Sequence, residues 1–126
     1  MKTLLLIALG GALGSAARHG VNQLCLKLLG PDFPWGTLSV NLIGSLLIGI
    51  LAGYFAHIAG WSQDIRSFCV VGFLGGFTTF SAFALDGVLL WERGAFGQMI
   101  AYVTASVLLS LLATGGGLFL VRSLSS

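Results

Sequence analysis

Four runs of mostly apolar residues, each long enough to cross a bilayer, leave this chain very few ways to fold. A span needs about 20 such residues. Four fit, at about Thr3–Leu26, Trp35–Ile58, Ser67–Trp91 and Phe96–Val121. What joins them is short: Gly30-Pro31-Asp32-Phe33-Pro34, then Gly60 to Arg66, then Glu92-Arg93-Gly94. No soluble domain fits into those connections, so residues 1–126 read as one all-helical transmembrane domain. With 8% charged residues and a mean hydropathy of +0.99, the chain is far from a soluble domain, which carries roughly a quarter charged residues. A net charge of +2, scattered along the chain, excludes nucleic acid as a partner. Trp35, Trp61 and Trp91 fall near predicted span ends, where amphipathic rings anchor at the interface.

The N-terminus has the outline of a signal peptide, with Lys2 before an apolar run and small residues at Gly14-Ser15-Ala16-Ala17. Two small-xxx-small pairs, Gly10 with Gly14 and Gly11 with Ser15, belong instead to a retained helix that packs closely on another. In the second span Ser45, Gly49 and Gly53 form a similar smooth face. It suits a contact inside the subunit as well as one between subunits. The cysteines, Cys25 and Cys69, lie in apolar segments and read as free thiols. With His19 and His57 as the only histidines, no metal-ligand spacing is present.

Four spans put both termini on one side. That side collects Lys2, Arg66 and Arg122. The other collects Lys27 and Arg93, with Arg18 able to snorkel toward it. So balanced a count gives almost no instruction for orientation. Two outcomes fit: a dual-topology chain whose copies pair in opposite orientations, or a weakly biased chain oriented by other means. Four helices enclose little lumen, so a permeation path belongs between copies, and the lack of bias favours a homodimer.

Within the spans, the third carries GFLGGFTTFSAF at Gly72 to Phe83. Gly75-Gly76 suits a continuous helix poorly. A helix breaks in lipid only where the freed groups line a cavity or are covered by protein. Carbonyls freed there could coordinate a cation, and a packing kink is the alternative. Phe80 and Phe83 share a helix face and flank Ser81, while Phe73 and Phe77 read as filler. On the fourth span Tyr102, Ser106, Ser110 and Thr114 recur every four residues as one hydroxyl stripe. Asn41, deep in the second span, offers two amide hydrogens and a carbonyl, which could equally serve a neighbouring helix. Ring edges are partially positive. Rings, hydroxyls and an amide together make a neutral path suited to a small anion. Arg18 could draw anions into a vestibule or pair structurally, and Asp86 reads as structural.

The segments GALGSAAR, WGTLSVNLIGSLLIG and GFLGGFTTFSAF together resemble the Fluc (CrcB) family of small bacterial fluoride channels, over essentially the whole chain. The resemblance implies a fluoride-selective channel, not an enzyme. It would be a multi-pass protein of the bacterial inner membrane that passively relieves the cytoplasm of fluoride. It also implies an antiparallel homodimer with two pores and a structural sodium ion at its centre. Residue by residue, it assigns the sodium-binding carbonyls to Gly75 and Thr78, and the pore-facing rings to Phe80 and Phe83. Asn41 and Ser81 are placed beside the pore, Tyr102, Ser106 and Ser110 on the polar track, and Arg18 at the vestibule. The family often has a glutamate where this chain has Asp86, which leaves that carboxylate without an assigned role. The main rival, a small four-span drug exporter, needs a titratable carboxylate deep in the first span, and none is there. A scaffold subunit would leave Asn41 and the hydroxyl stripe without purpose. For an enzyme there is no nucleophile–base pair or phosphate loop.

Overall fold

A computed structural model of the chain describes residues 1–57, 60 and 62–125, with side chains for all of these except His57 and Ser125. Ile58, at the predicted end of the second span, and Trp61, one of the three expected anchors, lie outside the described residues. Four stretches are helical, long and apolar enough to cross a membrane: Lys2–Leu29, Trp35–Ala56, Gln63–Glu92 and Phe96–Leu124.

The first, helix α1 (Lys2–Leu29), ends at Gly30, whose φ of 84° follows from the chain turning out of the helix there. Helix α2 (Trp35–His57) begins directly after Pro34. The second connection is shorter than the sequence suggested. Ser62 accepts a hydrogen bond from Ile65 N–H at 3.1 Å and so caps a helical turn, α3 (Gln63–Arg66), that runs into the third span. From Ser67 to Leu74 that span is a π-helix, which continues as α4 (Gly75–Phe77). Thr78 and Thr79 then take extended backbone angles (φ −89°, ψ 158° and φ −154°, ψ 120°), and helix restarts as α5 (Phe80–Glu92). After a turn through Gly94, at φ 80°, α6 (Phe96–Ser125) completes the protomer.

Packing follows the small residues. Helix α1 lies on the π-helical stretch and α4, and α2 lies along α6. At Gly10 a Cβ would run into the backbone of Phe68, Gly72 and Phe73; at Gly14, into that of Phe73 and Phe77. From the other side, a Cβ at Gly76 would sit 2.6 Å from the Gly11 carbonyl and 3.1 Å from Ser15 Oγ. The two small-xxx-small pairs of α1 therefore do the work expected of them, letting two backbones touch where lipid offers no hydrophobic reward for association. The small face of α2 resolves in favour of a contact within the subunit. Gly49 meets the backbone of Thr114, Gly53 meets Leu118 and Val121, and Gly117 of α6 returns the contact against Leu46 and Ile50.

Polar contacts tie the ends together. The Lys2 ammonium meets the Asp64 carboxylate at 2.8 Å, joining the N-terminus to the connection after α2. At the opposite end Arg93 donates to the Asp32 carbonyl at 2.6 Å and to Gln98 Oε1 at 3.0 Å. Trp35 and Trp91 are exposed at this second end, as interfacial anchors are. Cys25 and Cys69 are free. Large side chains such as Leu5, Leu9, Leu13, Leu111 and Leu112 point outward, the reverse of a soluble protein and the natural state of a surface facing lipid or another copy.

Gly14→Ala should therefore lower stability by about 1–3 kcal/mol, because backbone must move to admit the methyl. Gly20→Ala on the same helix meets nothing within 4 Å and should be neutral or stabilising by up to about 1 kcal/mol. Thermal unfolding of the two variants in detergent compares them directly.

Candidate functional site

The interruption at Thr78–Thr79 is bridged by side chains. Asn41 on α2 faces it with both ends of its amide: Nδ2 donates to the Thr79 carbonyl at 2.9 Å, and Oδ1 accepts from the Thr79 N–H at 2.8 Å. Thr79 in turn caps α5, its Oγ1 accepting from Ala82 N–H at 3.1 Å and lying 3.3 Å from Ser81 Oγ. Thr78 turns back, its N–H and hydroxyl both donating to the Leu74 carbonyl at 2.9 and 2.8 Å. Asn41 thus makes the contact with a neighbouring span that its sequence position allowed, and it also lines the cavity beside the break. One amide hydrogen and the carbonyl are committed to Thr79 because an extended backbone in lipid leaves groups that must be satisfied. Only the second amide hydrogen remains for a ligand.

Beside the break lies a cavity of about 560 Å³ between α2, the third span and α6. Asn41, Gly75, Thr78, Thr79, Phe80, Phe83, Ser106, Ser110 and Thr114 line it, with aliphatic residues such as Ile48 and Leu111. Its polar groups are neutral; no charged side chain is among its lining residues. Phe80 is 79% exposed, and its ring centroid lies 5.4 Å from that of Phe83. Ser106 is buried, and its hydroxyl has no hydrogen-bond partner among the described residues. A buried hydroxyl without a partner is costly, and Ser106 is among the residues that line the cavity. Thr114, at the far end of the stripe, spends its hydroxyl on the Ser45 carbonyl at 2.8 Å.

Three predicted site residues fall elsewhere. Tyr102 shares the stripe's helix face but not the cavity. It is fully buried, and its hydroxyl donates to Asp86 Oδ2 at 3.4 Å. The same oxygen accepts from Thr37 Oγ1 at 2.7 Å. The carboxylate thus gathers two hydroxyls from two helices, neither a salt bridge nor a helix cap. Ser81 is exposed beside Thr79 and is not among the lining residues. Arg18 is half-buried on α1 and likewise does not reach the cavity.

The residues that sequence reasoning passed over are Thr79 and Thr37. A signal existed for Thr79: a threonine directly before a helix start is a capping residue. None marked Thr37.

Among the described residues no three His, Cys, Asp or Glu side chains cluster, so the oxygens that could meet a cation here are backbone carbonyls and neutral side chains. The break supplies the former. An unbroken α-helix sends the N–H of residue i+4 to the carbonyl of residue i. The partner due to Gly75, Thr79 N–H, goes to Asn41, and the one due to Thr78, Ala82 N–H, goes to Thr79 Oγ1. Gly75 is exposed. The Gly75 and Thr78 carbonyls are thus two uncharged oxygens left without their regular helical partners.

Comparison with known proteins gives a consistent answer. Residues 5–118 match the family model described as CrcB-like protein, Camphor Resistance (CrcB). The chain is 56% identical over 122 residues to a protein of Paracoccus denitrificans named fluoride-specific ion channel FluC, covering 97% of this chain and 96% of that one. Proteins with the same name from Rhizobium meliloti and Rhodopseudomonas palustris are 50% and 48% identical, each covering 98% of this chain and 99% of the relative.

Removing one of the two hydroxyls bound to Asp86 should be felt in stability. Thr37→Val strips Asp86 of its shorter hydrogen bond and should cost about 1.5–3 kcal/mol, as for hydrogen bonds to charged groups. Denaturant titration of the variant measures it.

Proposed function

The chain belongs to the CrcB family, a family of ion channels and not of enzymes, and on that premise we propose that it is a fluoride-selective channel that releases fluoride passively down its gradient. It is a multi-pass membrane protein with four spanning helices. We place it in the inner membrane of a bacterial cell, where passive efflux would relieve the cytoplasm.

The observation that carries this reading is the cavity beside the break. Fluoride is small and strongly hydrated, so a path for it must offer replacement donors. The unpartnered Ser106 hydroxyl, the remaining Asn41 N–H, Ser110 and the edges of Phe80 and Phe83 are such donors. All are neutral. A fixed cationic side chain would bind the ion too tightly to release it, and conduction needs entry and exit alike.

The functional unit we infer is an antiparallel homodimer with two such paths. One protomer supplies only part of a wall. Its cavity opens at the surface, and the ring of Phe80 projects from it with 79% of its area exposed. A second copy in the opposite orientation would close the groove and repeat it by symmetry, which the balanced charge of the chain permits. A sodium ion bound by the Gly75 and Thr78 carbonyls of both copies would supply a fixed positive charge at the dimer centre. In this unit Arg18 would stand in the vestibule and draw anions toward the path.

Ion efflux from liposomes containing the purified protein tests the function. Fluoride should leave rapidly down its gradient while chloride stays, each followed with its own electrode. Retention of both ions by a well-folded protein would rule the channel out. Phe80→Ile removes a ring edge without a large change in polarity and should suppress fluoride efflux at least tenfold, roughly the loss of one transition-barrier contact of about 1.4 kcal/mol, while assembly measured by cross-linking is kept.

A further inference from the structure

We propose that Asn41 and Thr79 are positioning residues for the cation site, acting by intercepting the backbone hydrogens that would otherwise close it. The inference rests on the sodium reading above and assigns the chain its own means of holding the site open.

The geometry is a competition for two N–H groups. Without a side-chain acceptor, Thr79 N–H has the Gly75 carbonyl as its nearest helical partner, and Ala82 N–H has that of Thr78. Asn41 Oδ1 takes the first at 2.8 Å, and Thr79 Oγ1 takes the second at 3.1 Å. Asn41 also binds the Thr79 carbonyl from the other side at 2.9 Å. It therefore holds Thr79 by both of its backbone groups, one on each of the two peptide units that flank the residue. An asparagine serving only as a ligand for an anion would have no need of this double contact. Leu74, the next carbonyl back, already accepts from both Thr78 N–H and Thr78 Oγ1 and is not free to take part.

Loss of either acceptor sets a buried N–H in search of a partner, in surroundings where an unpaired one is expensive. In a regular helix the partner of each is a carbonyl of the cation site, Gly75 for Thr79 N–H and Thr78 for Ala82 N–H, and each returns to it. A carbonyl has two lone pairs, so such capture would weaken the site and not abolish it.

The test uses the full-length protein in detergent, unfolded thermally across a series of sodium concentrations with choline keeping the ionic strength constant. Wild type should gain stability as sodium rises, because a ligand that binds only the folded state stabilises it. In Asn41→Ala and in Thr79→Val, the sodium concentration giving half of that gain should rise about tenfold, the weight of one hydrogen bond. Thr79→Ser keeps the accepting oxygen and should stay within about twofold of wild type. A purely structural role would lower every melting temperature alike and leave the sodium midpoint where it was. That result in Thr79→Val overturns the proposal, as does an equal shift in Thr79→Ser. Should Asn41→Ala not survive purification, the two Thr79 variants decide between these outcomes. A wild type that does not respond to sodium overturns the cation reading itself and this inference with it.

Discussion

A backbone N–H or carbonyl in hydrocarbon must find a partner inside the protein, and this structure is organised around one place where the helix cannot provide it. Thr78 and Thr79 are extended in the middle of the third span. The bonds lost there would cost several kcal/mol each if left open. Asn41 and the Thr79 hydroxyl replace them. The restart of helix at Phe80 puts that ring and Phe83 on the wall of the cavity. The geometry of the site is thus a consequence of how the interruption is repaired.

Glycine decides the rest. With α1 pressed against the π-helical stretch and α2 against α6, both small-residue faces are used up inside the protomer. Much of what remains outside is leucine-rich. The third span is held from one side by α1, at Gly10, Gly14 and the return contact from Gly76, and from the other by Asn41 of α2. A two-residue extended segment keeps a defined course because the helical pieces on either side of it are pinned separately.

Much of the fold was legible in the sequence, and the limits of that legibility are physical. Span length, Gly30, Gly94 and the small-residue pairs of α1 are local signals, and the helices follow them. Four-residue spacing says which side chains share a face but not what the face meets. The small face of α2 was therefore open between two partners until Thr114 and Val121 were seen against it. For the same reason Tyr102 read as part of the hydroxyl stripe, although its hydroxyl meets a carboxylate on α5. Asn41 stood out as a polar residue deep in a span, yet its partner is backbone 38 residues away, and no pattern of side chains announces a bond to backbone. The π-helical stretch from Ser67 to Leu74 likewise had no local marker, since its composition is that of any buried helix.

The distribution of charge bears on how the site would treat an anion. Asp86 is the only acidic side chain well inside the spans, and it faces away from the cavity, bound to Thr37 and Tyr102. In a low-dielectric setting, a carboxylate along the path would oppose an anion with an energy far above thermal. The two hydroxyl bonds hold that charge in place and so keep the path free of it. Tyr102 is then best understood as part of the restraint on Asp86. The donors left to the cavity, Ser106 and Ser110 with the free hydrogen of Asn41, carry partial positive charge only. A neutral set of donors is what the proposed anion path calls for, because conduction needs release as well as entry.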